Sequence, residues 1–134
     1  MFYSGGMNFR HEYKMTVRDY ECDIQGIVNN SVYQNYLEHA RHEFLISTGL
    51  CFSEMHEKGI DPVIAKITLE YKQSLRPRDE FTVRTGVRRE GRLRFIFDQQ
   101  IIRAGALILS AEVVCVTTQN GRPVAPDAFM ALFD

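Results

Sequence analysis

The chain has 134 residues, 45% hydrophobic and 25% charged, and its 16 basic and 17 acidic side chains leave a net charge of −1. That length predicts one domain spanning 1–134 with a core that stands without disulfides or metals, while the composition excludes disordered and fibrous classes and the charge balance argues against a nucleic-acid binder. No stretch approaches the ~18 apolar residues of a membrane span, the first six residues lack signal-peptide character, and Cys22, Cys51 and Cys115 are too widely spaced for a disulfide framework or zinc site; a soluble, cytoplasmic protein is expected.

Phe9, His11, Tyr13, Met15 and Val17 alternate with polar residues, the period of a half-buried strand. Asp19–Asn30 has no period and contains Gly26, so it reads as a structured loop. A helix is predicted from about Val32 to about Thr48, with Ser31 as N-cap and Gln34 completing a capping box. Tyr33, Tyr36, Leu37, Ala40 and Phe44 share its buried stripe, Asn35, Glu38 and His42 lie opposite, and Gly49 stops it. Such a helix is about 25 Å long and must cross most of the domain.

Four strands are predicted to follow: Val63, Ala65, Ile67, Leu69 and Tyr71 on one face; then, after Pro77, Phe81 to Val87; then Leu93 to Ile101; then, past Gly105, Leu107 to Cys115. A hairpin connection is expected at Arg88–Arg92, and Asn120-Gly121 turns the chain into either a short strand or a helical turn around Phe129–Phe133. Short links make consecutive strands antiparallel neighbours. The fold class is therefore α+β, a twisted antiparallel sheet of about five strands with one long helix against its concave face. Long open edges favour a homodimer or homotetramer.

The candidate chemistry lies in Tyr20-Glu21-Cys22-Asp23-Ile24-Gln25-Gly26-Ile27-Val28-Asn29-Asn30-Ser31-Val32-Tyr33. A carboxylate precedes a glycine turn that enters a helix N-terminus, where free amides and the positive dipole end stabilise an oxyanion. Spacing alone leaves two readings of Asp23. It either caps its own turn or faces a carbonyl bound to those amides, as general base or nucleophile of an acyl transfer. Residues 76–103 carry eight arginines against four acids, and residues 1–60 five basic against eight acidic side chains. The arginines form either a local anion site or a solvated outer face.

This segment, with Tyr36-Leu37-Glu38-His39-Ala40-Arg41 beyond it, resembles the signature of the hot-dog-fold acyl-CoA thioesterases, nearest to the 4-hydroxybenzoyl-CoA thioesterase type and the related short-chain and acyl-carrier-protein thioesterases. Pro77-Arg78-Asp79-Glu80-Phe81-Thr82-Val83 resembles that family's turn into its third strand, and the likeness covers nearly the whole chain. The resemblance implies a hot-dog fold and hydrolysis of an acyl-CoA or acyl-carrier-protein thioester without metal or organic cofactor. Asp23 matches the catalytic carboxylate, and Asn30 and Ser31 the backbone amides that polarise the thioester. Gly26, Ile27, Val28 and Tyr33 then line the substrate. Arg88, Arg89, Arg92 and Arg94, with Arg76 and Arg78 next, become candidates for coenzyme A phosphates, held at a subunit interface. Some members carry histidine where this chain has Ile27 or Asn29-Asn30, so the motif supplies none to assist the leaving thiolate.

The competing readings are narrower. Glu38 matches a helix glutamate used in another thioesterase branch, but its spacing to Arg41 and His42 favours a structural ion pair. His39 and His42 lack a third metal ligand, and Cys22 lacks a histidine partner and reads as a small packed residue. A dehydratase of this fold wants a histidine with its carboxylate. A non-catalytic acyl-CoA-binding module remains the alternative outside enzymes.

Overall fold

A computed structural model describes residues 9–133. Strand β1 (His11–Thr16) turns His11, Tyr13 and Met15 inward and leaves Glu12, Lys14 and Thr16 exposed, as the period of two requires. A 3-10 turn at Asp19–Glu21 leads to helix α1 (Asn30–Ser47) and a short helix α2 (Phe52–Glu57). Then come β2 (Ile60–Tyr71), β3 (Glu80–Glu90), β4 (Arg94–Arg103), β5 (Ala106–Gln119) and β6 (Arg122–Val124), ending in 3-10 turns over Asp127–Phe133. The strands form one antiparallel sheet in the order β1-β3-β4-β5-β2, with β6 paired to the end of β5. This is the expected α+β hot-dog arrangement, and both C-terminal alternatives are present, strand and helical turn.

The α1 stripe is buried as predicted: Tyr33, Tyr36, Leu37, Ala40 and Phe44 are each at most 2% exposed. The first half of α1 packs on Phe81, Val83, Ile101 and Leu109, and Phe44 joins a phenylalanine-rich cluster with Phe95, Phe97 and Phe129. Each such side chain contributes about 1.5–3 kcal/mol through burial.

Four expectations are corrected. The helix starts two residues early, because Asn29 is the N-cap: its Oδ1 accepts Ser31 N at 3.2 Å and Ser31 Oγ at 3.1 Å. Asn29 is held extended there by its own N–H, which donates to Glu21 O at 3.1 Å, so Ser31 falls inside the first turn. Second, β2 and β3 are not neighbours. The link 72–79, interrupted by Pro77, crosses under the start of α1, where Val28 N donates to Leu75 O and Val17 N to Asp79 O, both at 2.9 Å; β2 therefore lies at the far edge, beside β5. Third, a register shift between Ile64 and Lys66 puts Ile64, rather than Val63 and Ala65, on the face of Ile67 and Tyr71. Fourth, β3 stays paired through Glu90 and Arg94, so its turn is 91–93, at the positive φ of Gly91.

Helix α1 rests against β3 and β1. The concave face of β2 is left uncovered, and Ile64, Ile67 and Tyr71 are 45%, 37% and 45% exposed.

Candidate active site

The loop before α1 is a tight hairpin. Asn29 N donates to Glu21 O at 3.1 Å, Cys22 bridges Val28, Asp23 N donates to Ile27 O at 2.9 Å, and Gly26 closes the tip at φ 76°. Only a residue tolerant of positive φ turns the chain so tightly. Its base is fixed to the helix by two tyrosines of the buried stripe. Tyr36 donates its hydroxyl to Glu21 Oε1 at 2.8 Å. Tyr33 Oη accepts from Leu75 N at 2.9 Å, fastening the crossover link. Burial, then the Glu21 carboxylate, pushes the Tyr36 hydroxyl far above its ordinary pKa, so it stays a donor. Burial also raises Tyr33.

Asp23 sits two residues beyond the Glu21–Asn29 pair, about 7 Å along the hairpin from the helix cap. Its Oδ1 accepts from Gln25 N at 2.8 Å, so the carboxylate does cap its own turn, while the side chain remains exposed. At the helix start Ser31 N is taken by Asn29 Oδ1 and Val32 N by Asn29 O. Asn30 N donates to no acceptor among the described residues, leaving it the amide available to a ligand. Gly26 and Ile27 are half-buried in the hairpin, whereas Val28 is turned into the core. The ring of Tyr33 borders a cleft with Asn30 and Tyr71.

That cleft, of about 250 Å³, opens a groove between α1 and β2. Farther along the helix, a separate space of about 310 Å³ is lined by Gln34, Glu38, Arg41, Ile64 and Ile67. Sharing Glu38, Arg41 and Ile64, a further cleft of about 180 Å³ ends among Phe52, Phe95, Phe97 and Phe129. The clefts therefore follow one another along the helix from its amide end to an aromatic end, and the last two join as one groove facing β2. Asp23 lines none of these clefts within one chain.

The hairpin arginines are not brought to Asp23. Glu80, at the start of β3, lies beside Thr16 near the candidate site, and ten residues at 3.3 Å put the 91–93 turn about 33 Å away along the strand. Arg88 is engaged on the outer face, with Nε on Asp98 Oδ2 at 2.8 Å and Nη2 on Glu112 Oε2 at 2.9 Å. Arg89 lies over the Phe133 ring and donates to Arg92 O, and Arg92 and Arg94 are exposed. Arg76 and Arg78, on the crossover link, lie beside the Asp23 hairpin, as does Arg18 at its base: Arg78 N donates to Val17 O at 2.9 Å, its guanidinium lies 3.6 Å from Asp19, and Arg18 N donates to Glu21 Oε1 at 2.8 Å.

Glu38 makes no ion pair with Arg41 among the described residues, correcting that expectation; Arg41 turns inward instead, to Gln99 Oε1 at 3.0 Å. His39 meets the Tyr13 hydroxyl at 3.2 Å. Cys22 packs against the core, and desolvation with neighbouring acids raises its thiol pKa, which disfavours the nucleophilic thiolate. Sequence reasoning gave no role to Glu21 and cast Arg41 only as a partner of Glu38. Both sit inside the recognised motif, but a charged residue's inward turn depends on tertiary partners that no spacing reveals.

A sequence profile described as the thioesterase-like superfamily matches residues 17–133. The chain is 38% identical over 122 residues to the acyl-acyl carrier protein thioesterase ATL3 of Arabidopsis thaliana, covering 89% of this chain and 64% of the relative. It is 38% identical over 100 residues to ATL2 of the same plant, covering 75% of this chain and 53% of that relative. The chain thus spans between half and two-thirds of the length of these relatives. A solved structure of a hypothetical protein from Aquifex aeolicus superposes with TM-score 0.84 and 31% identity, covering 92% of this chain and 99% of that one. A gentisyl-coenzyme A thioesterase structure superposes with TM-score 0.81 and 27% identity, covering 92% of this chain and all of that one (100%).

Proposed function

The chain belongs to the thioesterase-like superfamily, and we propose that it hydrolyses acyl thioesters with Asp23 as its catalytic carboxylate. The observation that carries this reading is the free Asn30 amide at the head of an 18-residue helix, with Asp23 on the adjoining hairpin and a cleft beside Asn30 followed by a groove farther along the helix. A thioester oxygen bound at Asn30 N gains the amide hydrogen bond and the positive end of the helix dipole as charge develops.

Two routes are open to the carboxylate. As general base it takes a proton from water, the hydroxide adds to the carbonyl carbon, and the tetrahedral oxyanion collapses to expel the thiolate, which takes up the proton held by Asp23 and restores the carboxylate. As nucleophile, one carboxylate oxygen displaces the thiolate to form a mixed anhydride, which water then cleaves to acid and free Asp23. Neither route requires a histidine, because a thiolate leaves readily.

The working unit in this reading is a homodimer or dimer of dimers, joined through the 12-residue edge strand β2. Support comes from the exposed Ile64, Ile67 and Tyr71 and from a groove with no roof in one chain. A partner across this edge would close the groove and provide the wall that Asp23 lacks.

Coenzyme A is the leading thiol carrier, with Arg76 and Arg78 as candidate anion contacts on the link beside the site. An acyl-carrier-protein thioester is a second reading, favoured by the 38% likeness to the Arabidopsis enzymes. Thiol release from matched acyl-CoA and acyl-carrier-protein thioesters tests both. Turnover of either supports hydrolysis and the faster one names the carrier; binding of substrates without release of thiol contradicts the enzyme reading.

A further inference from the structure

Arg41 lies partway along the groove, in surroundings unusual for a cation. The residue is 9% exposed, and it forms no ion pair among the described residues. One guanidinium nitrogen donates to Gln99 Oε1. Gln99 is fastened in turn, its Nε2 donating to Leu37 O and Thr85 Oγ1, both at 3.1 Å. The other guanidinium N–H groups have no acceptor among the described residues, yet they are not among the polar atoms sealed in the core. They open onto the groove, since Arg41 lines both of its adjoining clefts.

No carboxylate among the described residues lies within ion-pair distance of this charge, and Glu38, one turn earlier on the helix, acts on it only from the rim. The Cys115 thiol on the same wall is pushed up to about 11 by burial and stays neutral. Glu38 and His42 lie exposed at the rim. Burial lowers the Arg41 pKa, but a guanidinium keeps its proton in proteins. A desolvated cation with free donors is costly until an anionic oxygen meets it.

We propose that Arg41 recognises a carboxylate carried by the acyl group itself, so that the preferred substrates are carboxyacyl thioesters rather than plain hydrocarbon ones. This deepens the thioesterase reading and rests on it for the position of the thioester. Gln99 is bonded to Leu37 O, so the guanidinium sits near the level of Leu37, about 10 Å down the helix from Asn30. Ile64 and Ile67 give the chain an apolar passage to that point. A carboxylate arriving there replaces lost hydration on both ions with charge-assisted hydrogen bonds.

The test compares kcat/KM for acyl-CoA pairs of equal length, one ending in methyl and the other in carboxylate, for the wild type, Arg41→Met and Arg41→Lys. A second arm measures calorimetric binding of the corresponding thioether analogues, which need no turnover. At one chain length the wild type is expected to favour the carboxylate member by roughly tenfold or more in both arms. The ratio falls toward one in Arg41→Met and is partly kept in Arg41→Lys. A wild type that treats the two members alike overturns the proposal, whether or not it hydrolyses thioesters, and so does an unchanged preference in Arg41→Met. Preferential binding of the carboxylate analogue without hydrolysis of any thioester removes the enzyme reading and keeps the Arg41 site. Should Arg41→Met fail to fold, the wild-type preference decides.

Discussion

The hydroxyl of Tyr36 donates to Glu21 Oε1 across 2.8 Å, joining the buried stripe of the long helix to the hairpin that carries Asp23. The Glu21 side chain is 11% exposed, so its carboxylate depends on this bond, on Arg18 N and on the more distant Arg18 guanidinium. Tyr33 makes the matching attachment to the crossover link one turn earlier. The helix therefore holds both loops that surround its own N-terminus.

Tyr36→Phe removes the donor and leaves a half-buried carboxylate short of a partner. The expected cost is about 1–3 kcal/mol, seen as a lower midpoint in urea unfolding with an unchanged slope. Thioester turnover should fall with it, because the hairpin base loosens. Turnover and stability both at the parent level would show that the bond does not position the hairpin.

Ile67→Arg places a charge at the centre of the uncovered face of β2. In light scattering after gel filtration the parent should elute as a dimer or tetramer and the variant as a monomer, with turnover reduced at least tenfold. A monomeric parent with full activity would remove the edge-strand assembly from the account.

Stability should also carry the signature of Cys115. Its thiol is raised from 9.0 to about 11, chiefly by burial, so the folded form keeps a proton that the unfolded chain sheds. The stability contributed is whole below pH 9 and is lost as the pH rises through 11, a few kcal/mol in all. Unfolding free energy measured between pH 8 and 11.5 should fall less steeply in Cys115→Ala than in the parent. Identical slopes would mean that the thiol is not desolvated.

The strand and helix faces were legible because burial enforces period: β1, β3 as far as Thr85, and the α1 stripe follow the expected pattern. What escaped the sequence was decided by tertiary partners. Asn29 and Ser31 are both good caps, and the bond from Asn29 N to Glu21 O chooses between them. The six residues of α2 are too few to show a period. The bulge near Ile64 reverses the face of the strand within Pro62–Ala65, a stretch that is apolar on both sides. For the site, the motif located the hairpin and the helix start, but not the inward turn of Arg41. Nor could it reveal the length of β3, which separates the arginine-rich turn from Asp23.

The measurement closest to the central claim is the single-turnover rate of thiol release by Asp23→Asn, beside calorimetric binding of a non-hydrolysable thioether analogue. The substitution keeps the size of the side chain and an acceptor for Gln25 N. Binding within about threefold of the parent and a rate at least 10²-fold lower is the expected result. A variant that releases thiol as fast as the parent would take the carboxylate out of the chemistry.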